Sequence, residues 1–356
     1  MHTQQIDPEQ LEGCIQRLAA TMTGAATTGM MVLGHRLGLY RALAAHGPAT
    51  PEDLAAATDT APRYLHEWLL QQTAAGFLTH DVGDGTFALP PAHAAVLVSD
   101  ASPTSLISGT LVMAGWIRSL DRLETAIRTG EGVPWHEQDP DVFDGTEDFF
   151  GAGYRASLVD EWIPSLQGVA DKLAAGATVA DVGCGHGVTT LLLADAYPQA
   201  SVIGYDFHDR SIEVARQRAR KAGLADRVTF EVADVTGYPV AGYDLICMFD
   251  VLHDLGDPLA AAIHARRALS DDGTLLLVEP RAANDLETNL AAPLAALNYA
   301  ASTYACVPTS LAQDGKTALG AQAGRNAVEQ LTRTAGFTRF RELEPTMVNQ
   351  IYEIRP

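Results

Sequence analysis

Positive charge is scarce in this chain: 24 Lys and Arg stand against 44 Asp and Glu, a formal net charge of −20. Such a surface repels phosphate backbones, anionic lipids and acidic partners. Nucleic acid is therefore expected neither as substrate nor as partner, whereas a small anionic substrate stays open because a pocket carries its own local charge. Cysteine is scarce too. Cys14, Cys184, Cys247 and Cys306 lie far apart and form no C-x-x-C pair. That argues against zinc ribbons and fingers and, at this length, against a disulfide framework, so a reducing cytoplasm is the expected setting. The first twenty residues lack the basic leader and apolar core of a signal peptide. No stretch of about 20 apolar residues runs without polar breaks, so no membrane span is expected. The Ala-rich run from Leu290 to Pro308 is broken by Pro293, Asn298 and Ser302. No cluster of His, Asp and Glu suggests a metal, and none is expected.

What the chain does have is length and apolar content. Its 356 residues, 47% hydrophobic, suffice for two or three domains, each burying a core. Residues from about 8 to 45 read as helical, with Met31, Leu33, Leu37, Tyr40 and Leu43 near helical spacing and Gly47-Pro48 as the stop. Thr50 is expected to cap a short helix, with Asp53 completing a capping box. Thr60 is expected to cap a second helix with Pro62 in its first turn, which Gly76 ends. The segments FLTH and TFAL flank the turn signal Gly83-Asp84-Gly85 and predict a small hairpin. Helix, turn, helix and hairpin together form a winged-helix pattern. From Thr50 to Val98 Arg63 is the one Lys or Arg, against Glu52, Asp53, Asp59, Glu67, Asp81 and Asp84. A recognition helix needs cations for phosphates, so this module reads as a dimerisation and lid domain and not as a DNA reader.

The next fifty residues mix helix and loop. SLISGTLVMAGWIRSLDRLETAIRTG predicts one amphipathic helix, and GVPWHEQDPDVFDGTEDFF an acidic connector. Beyond Gly168 short apolar runs (TVADVG, SVIGYD, VTFEVAD, DLICMFD, TLLLVEP) alternate with helical stretches, the rhythm of a mostly parallel buried sheet. The expected fold is α/β: a Rossmann-like sheet at residues 166–356 behind a mostly helical winged-helix dimerisation domain at 1–100, with a helical linker and lid at 101–165.

The strongest signal is VADVGCGHG at 179–187. A strand ending at Asp181 runs into Gly183, Gly185 and Gly187, and a helix follows at once. The glycines permit a tight turn and close backbone approach to a ligand, and the helix start offers free N–H groups. A dinucleotide loop would follow G-x-G-x-x-G; here the glycines alternate, with an acid two residues before the first. That spacing resembles the first motif of class I methyltransferases, whose loop wraps the amino-acid end of S-adenosylmethionine. Asp206 ends the next strand, where an acid can accept both ribose hydroxyls, and Phe207 adjoins it. The resemblance implies that Asp234 meets the adenine amino group, with Val235 beside it, and that Phe249 and Asp250 stand at the cofactor's edge. Asp181, Gly183, Cys184 and Gly185 complete the loop's share, and Tyr154 with Arg155 is expected to close over the cofactor's carboxylate.

The whole chain, through GHRLGLYRALA, YRASLVDEWIPSL, VADVGCGHG, VLHDLGDP and ALGAQAG, resembles actinobacterial two-domain methyltransferases with an N-terminal winged helix. The resemblance implies S-adenosyl-L-methionine as cofactor, a homodimer interlocked through N-terminal helices, a substrate pocket between the domains and a place in secondary metabolism. It names no substrate. His253 in VLHDLGDP lies just past the fourth strand and matches the residue that deprotonates a hydroxyl in small-molecule O-methyltransferases. Glu279, at the next strand end, matches the carboxylate that orients that His. Those enzymes carry Trp after His-Asp, where this chain has Leu255, which leaves the substrate class open; the expected reaction is methyl transfer to a small organic molecule at oxygen, with nitrogen or carbon as the alternatives. Candidate substrate walls are Met113, Trp116 and Trp135, with Asn298, Tyr299 and Tyr304 from the insert after the fifth strand. The competing expectations are an S-adenosylmethionine-sensing winged-helix regulator, and non-transfer chemistry on the same fold.

Overall fold

The computed structural model describes residues 6–98 and 104–356. The chain divides into two compact units, one formed by Met1–Ile117 with Pro140–Ala152, the other by Arg118–Asp139 with Gly153–Pro356.

The first unit opens with a 29-residue helix, Pro8–Arg36. The helical run does not continue unbroken to residue 45: Gly38, at φ 68°, breaks it before helix Leu39–His46. Helices Pro51–Thr58 and Pro62–Ala74 follow. The expected capping box forms, with Thr50 Oγ1 accepting from Asp53 N at 3.2 Å and Asp53 Oδ2 accepting from Thr50 N at 3.3 Å. Thr60 does not cap the second helix. Ala61 holds that position without a side-chain bond, and the Thr60 hydroxyl instead lies 2.9 Å from that of Thr58. The hairpin pairs β1 (Thr79–Asp81) with β2 (Thr86–Ala88), antiparallel. Leu39, Tyr40, Leu43, Leu54, Leu65, Trp68, Leu69 and Phe87 form the core. Inside it the Tyr40 hydroxyl donates to Gln72 Oε1 at 2.6 Å, and Trp68 Nε1 donates to the Met30 carbonyl at 2.9 Å, so the core's polar atoms are paired where water is excluded.

Two expectations for the middle of the chain fail. The predicted single amphipathic helix is two, Gly109–Arg118 and Leu120–Thr129, divided at Ser119. Much of the predicted acidic connector is helix Pro140–Ser157. Its Gly145 sits at a close approach: a Cβ there would lie 2.8 Å from Val112 Cγ2 and 2.9 Å from the Ser108 carbonyl oxygen.

The second unit is built on seven strands: β3 (Thr178–Val182), β4 (Ser201–Asp206), β5 (Val228–Val232), β6 (Tyr243–Phe249), β7 (Leu269–Pro280), β8 (Arg339–Glu342) and β9 (Asn349–Arg355). They lie in the order β5-β4-β3-β6-β7-β9-β8. β3 to β7 pair in parallel, and β9 runs antiparallel between β7 and β8. Both faces of the central strands are covered, which is why Leu245, Ile246, Cys247 and Met248, and Leu275, Leu276, Leu277 and Val278, are apolar without alternation. The chain leaves β3 toward β4 and β5 on one side and returns to β6 on the other. A strand order that reverses at its centre opens a crevice at the carboxyl ends.

Candidate active site

The turn after β3 is held from below. Gly183 N and Cys184 N both donate to the Tyr205 carbonyl, at 2.8 and 3.0 Å. Gly183 has φ 76°, and a Cβ there would lie 2.4 Å from Val251 Cγ2; Gly187 has φ 80°, and a Cβ there would lie 2.7 Å from the Phe230 ring. Both positions demand left-handed backbone and no side chain. Gly185 differs: no atom lies within 4 Å of its notional Cβ, so the loop faces open space there. Cys184 is buried, and burial pushes its thiol well up, which removes it as a nucleophile.

The four acids of the strand ends do different work. Asp181 is fully buried; its Oδ2 accepts from the Thr189 and Thr190 hydroxyls, both at 2.6 Å, and its Oδ1 has no partner. It pins the helix Val188–Ala196 to the sheet from beneath the loop. Asp206 accepts from Gly185 N at Oδ2 and from His208 N at Oδ1, both at 2.9 Å. Each carboxylate oxygen keeps a lone pair free. Beside it Phe207 is 53% exposed, an aromatic face left bare at the mouth of the crevice. Asp234 is exposed, two residues beyond β5; its Oδ1 accepts from Thr236 N and Oγ1 at 2.8 and 2.7 Å, and Val235 is half-buried beside it. Free acceptors at Asp206 and Asp234, a bare ring at Phe207 and clear space over Gly185 fit a ligand carrying hydroxyls and an aromatic base.

Asp250, directly after β6, has φ 55°, a left-handed conformation that Asp tolerates better than most residues. Its carboxylate accepts from the Tyr154 hydroxyl and, at 2.9 and 3.0 Å, from Asn349 Nδ2. Burial, opposed by His253 and these donors, pushes Asp250 up to about 7. Tyr154 is therefore committed to Asp250, with its ring against Phe249 and Trp162 at 5.3 and 6.0 Å between centroids. Asn349 is a member of this group that the sequence reading missed; it opens β9, far along the chain from Asp250.

His253 lies on the short turn Leu252–Asp254 and is 5% exposed. Its Nδ1 is 2.8 Å from Glu279 Oε2, and its Nε2 is 3.1 Å from Asp254 Oδ1. Glu279 also accepts from Leu252 N and His253 N, at 2.9 and 3.2 Å, which fixes the whole turn over the end of β7. Burial pulls the imidazole down, but Asp254 and Glu279 outweigh it and hold the ring well above its ordinary value. Asp254 was also missed, although the pattern His-Asp stands in the sequence.

The proposed substrate walls fall in both units. Met113 and Trp116 lie on helix Gly109–Arg118 of the first, half-buried and buried. In the second, Asn298 and Tyr299 are half-buried on helix Ala295–Ala301, and Tyr304 lies in the π-helical turn Ser302–Cys306. Trp135 sits on the 3-10 turn Trp135–Glu137, also in the second unit.

The buried Asp181 carries a stability signature. Burial holds its acid form up to about 6, against the ordinary 3.8. The folded chain thus keeps a proton that the unfolded chain releases, and the stability this provides is lost as pH rises through about 6. In urea titrations at pH 5 and pH 8, Asp181→Asn should narrow the loss of stability seen in the parent chain over that interval; an equal loss in both would show that Asp181 does not titrate there.

Comparison with known proteins agrees with this geometry. A family described as "Methyltransferase domain" matches residues 173–334, and an "Rv2258c-like winged HTH domain" matches residues 25–99. The O-methyltransferase SfmM3 of Streptomyces lavendulae is 29% identical over 266 residues, 71% of this chain and 77% of that protein. A 27-O-demethylrifamycin SV methyltransferase of Amycolatopsis mediterranei is 36% identical over 107 residues, 30% of this chain, and the match spans only 39% of that enzyme. Among solved structures, the mitomycin 7-O-methyltransferase MmcR superposes with a TM-score of 0.72 at 22% identity, over 98% of this chain and 99% of that one. That likeness carries the α/β fold expected from the sequence. With a methyltransferase domain behind a winged helix-turn-helix, the chain is an S-adenosylmethionine-dependent methyltransferase.

Proposed function

We propose that this protein transfers a methyl group from S-adenosyl-L-methionine to a hydroxyl oxygen of a small organic molecule, with His253 as general base and Glu279 as its orienting partner. The observation that carries this reading is the His253–Glu279 pair at 2.8 Å, set on the turn that follows β6 at the carboxyl edge of the sheet. Relatives named as O-methyltransferases support oxygen as the acceptor. When bound, the cofactor supplies a methyl group on a cationic sulfur, which a nucleophile displaces in line.

The chain's own residues then have three tasks. Asp206 and Asp234 hold the adenosine by its hydroxyls and its amino group, with Phe207 and Val235 against the base; Gly183, Cys184 and Gly185 leave room for the amino-acid end. Tyr154, Asp181, Phe249 and Asp250 shape the crevice floor and edge. Glu279 accepts a hydrogen bond from Nδ1–H, which leaves Nε2 to receive the acceptor's hydroxyl proton. Asn298, Tyr299 and Tyr304 are proposed as substrate contacts. Asp254 shares Nε2, so the His253–Asp254 pair must lose its proton before a hydroxyl can be relieved of its own. Because the carboxylates raise the imidazole, the alkaline rise in rate should fall above the ordinary imidazole value of about 6.5.

We further propose a cytoplasmic homodimer that binds no nucleic acid. On helix Pro8–Arg36, Leu11, Ile15, Leu18 and Met22 recur at spacings of four, three and four and are 48–65% exposed. That is a coiled-coil seam in search of a partner. Arg63, the one cation of the winged helix from Thr50 to Val98, lies 2.7 Å from Glu67 in an i, i+4 pair, which leaves little for a phosphate.

Three measurements test these statements. His253→Ala should cut turnover on a panel of hydroxylated metabolites by ~10²–10⁴ with cofactor affinity almost unchanged; an undiminished rate removes His253 from the chemistry. Asp206→Ala should weaken binding of the demethylated cofactor in calorimetry without lowering the melting temperature by more than a few degrees, and an unaltered affinity would exclude the ribose role. Leu18→Glu should shift the chain to monomer in analytical ultracentrifugation; a dimer of parental strength would move the interface elsewhere.

A further inference from the structure

Folding brings together three residues that no sequence spacing groups. His253 and Asp254 share the turn after β6, and Cys306 closes the π-helical turn of the later insert. One donor atom from each lies within 4.8 Å of the other two, and Nε2 of His253 is 3.1 Å from Asp254 Oδ1.

Three independent features point to a cation there. Asp254 Oδ1 is buried without a hydrogen bond of good geometry and faces His253 Nε2 at 3.1 Å, so two candidate donor atoms already share one space. Glu279 grips His253 Nδ1 at 2.8 Å, the carboxylate–imidazole pairing that in metal sites turns the opposite nitrogen outward as a ligand and raises its basicity. Cys306, 6% exposed, adds a soft sulfur donor whose nearest polar contact on its own segment is the Ala301 carbonyl at 3.8 Å.

The donor set selects the metal. Mg²⁺ and Ca²⁺ take oxygen ligands, whereas nitrogen, oxygen and thiolate together suit Zn²⁺. Tetrahedral zinc with these ligands spans roughly 3.3–3.8 Å between donors, so the His253–Asp254 pair at 3.1 Å opens slightly while donors as much as 4.8 Å apart draw in. We propose that His253, Asp254 and Cys306 form a zinc site with its fourth position open, and that zinc bound there withholds Nε2 from the substrate. The S–Zn bond forms as the Cys306 proton passes to solvent. The blocking half of the proposal rests on His253 being the base; the binding half does not.

The test is zinc chloride titrated calorimetrically into the full chain after chelator dialysis, with cobalt chloride as a spectroscopic stand-in. One zinc per chain should bind, and cobalt should show thiolate-to-metal charge-transfer absorption. Cys306→Ala and Cys306→Ser should each weaken zinc at least tenfold and abolish that absorption, while their methyl transfer resists zinc concentrations that inhibit the parent. Equal zinc affinity in the parent and both variants overturns the site. Binding that depends on Cys306 but leaves parental methyl transfer untouched overturns the blocking half and tells against His253 as base.

Discussion

Four carboxylates, Asp181, Asp206, Asp250 and Glu279, stand at the ends of adjacent parallel strands, and their mutual repulsion is what the neighbouring structure must contain. Each is met differently. Two threonine hydroxyls answer Asp181, two backbone amides answer Asp206, a phenol and an amide answer Asp250, and an imidazole with two backbone amides answers Glu279. Donors of this kind offset the cost of burying charge only in part, which is why Asp181 and Asp250 sit at about 6 and about 7. The crevice is thus a place of stored negative potential, suited to a ligand that brings positive charge with it.

The division of labour among these acids follows their depth. Asp234 is exposed, Asp206 is buried just behind the exposed Phe207, and both keep acceptors to spare, while Asp181 is sealed and serves the loop from below. A motif acid two residues before the first glycine can therefore matter to a site without lining it: by fixing the start of helix Val188–Ala196 it fixes where the loop's amides point. Asp254 and Glu279 flank one imidazole, and the ring's proton affinity is set by that enclosure more than by burial.

How much of this the sequence disclosed depended on the range of the interactions. The glycine turn, the strand ends at Asp206 and Asp250, and the Thr50–Asp53 box are local, and each follows from residues a few places apart. Helix Pro140–Ser157 was misread as a connector because its acids and Gly145 look like loop chemistry; the glycine is there for close approach to Val112, which only packing discloses. Thr60 had the right residue type for a cap, but Pro62 placed the first helical position one step later, leaving Ala61 at the cap. Asn349 beside Asp250, and Cys306 beside His253, join segments far apart in the chain, and no periodicity carries such a pairing.

The position of Asn349 has a consequence for assembly. A chain lengthening from its amino end can align β3 to β7 while β9 has yet to be made, and until then Asp250 has no amide at its carboxylate. Insertion of β9 beside β7 is a long-range, antiparallel step of the slow kind. Completion of the sheet and quieting of that acid are consequently one event, and a nascent chain halted short of it would hold the glycine turn and the strand ends yet lack a finished site.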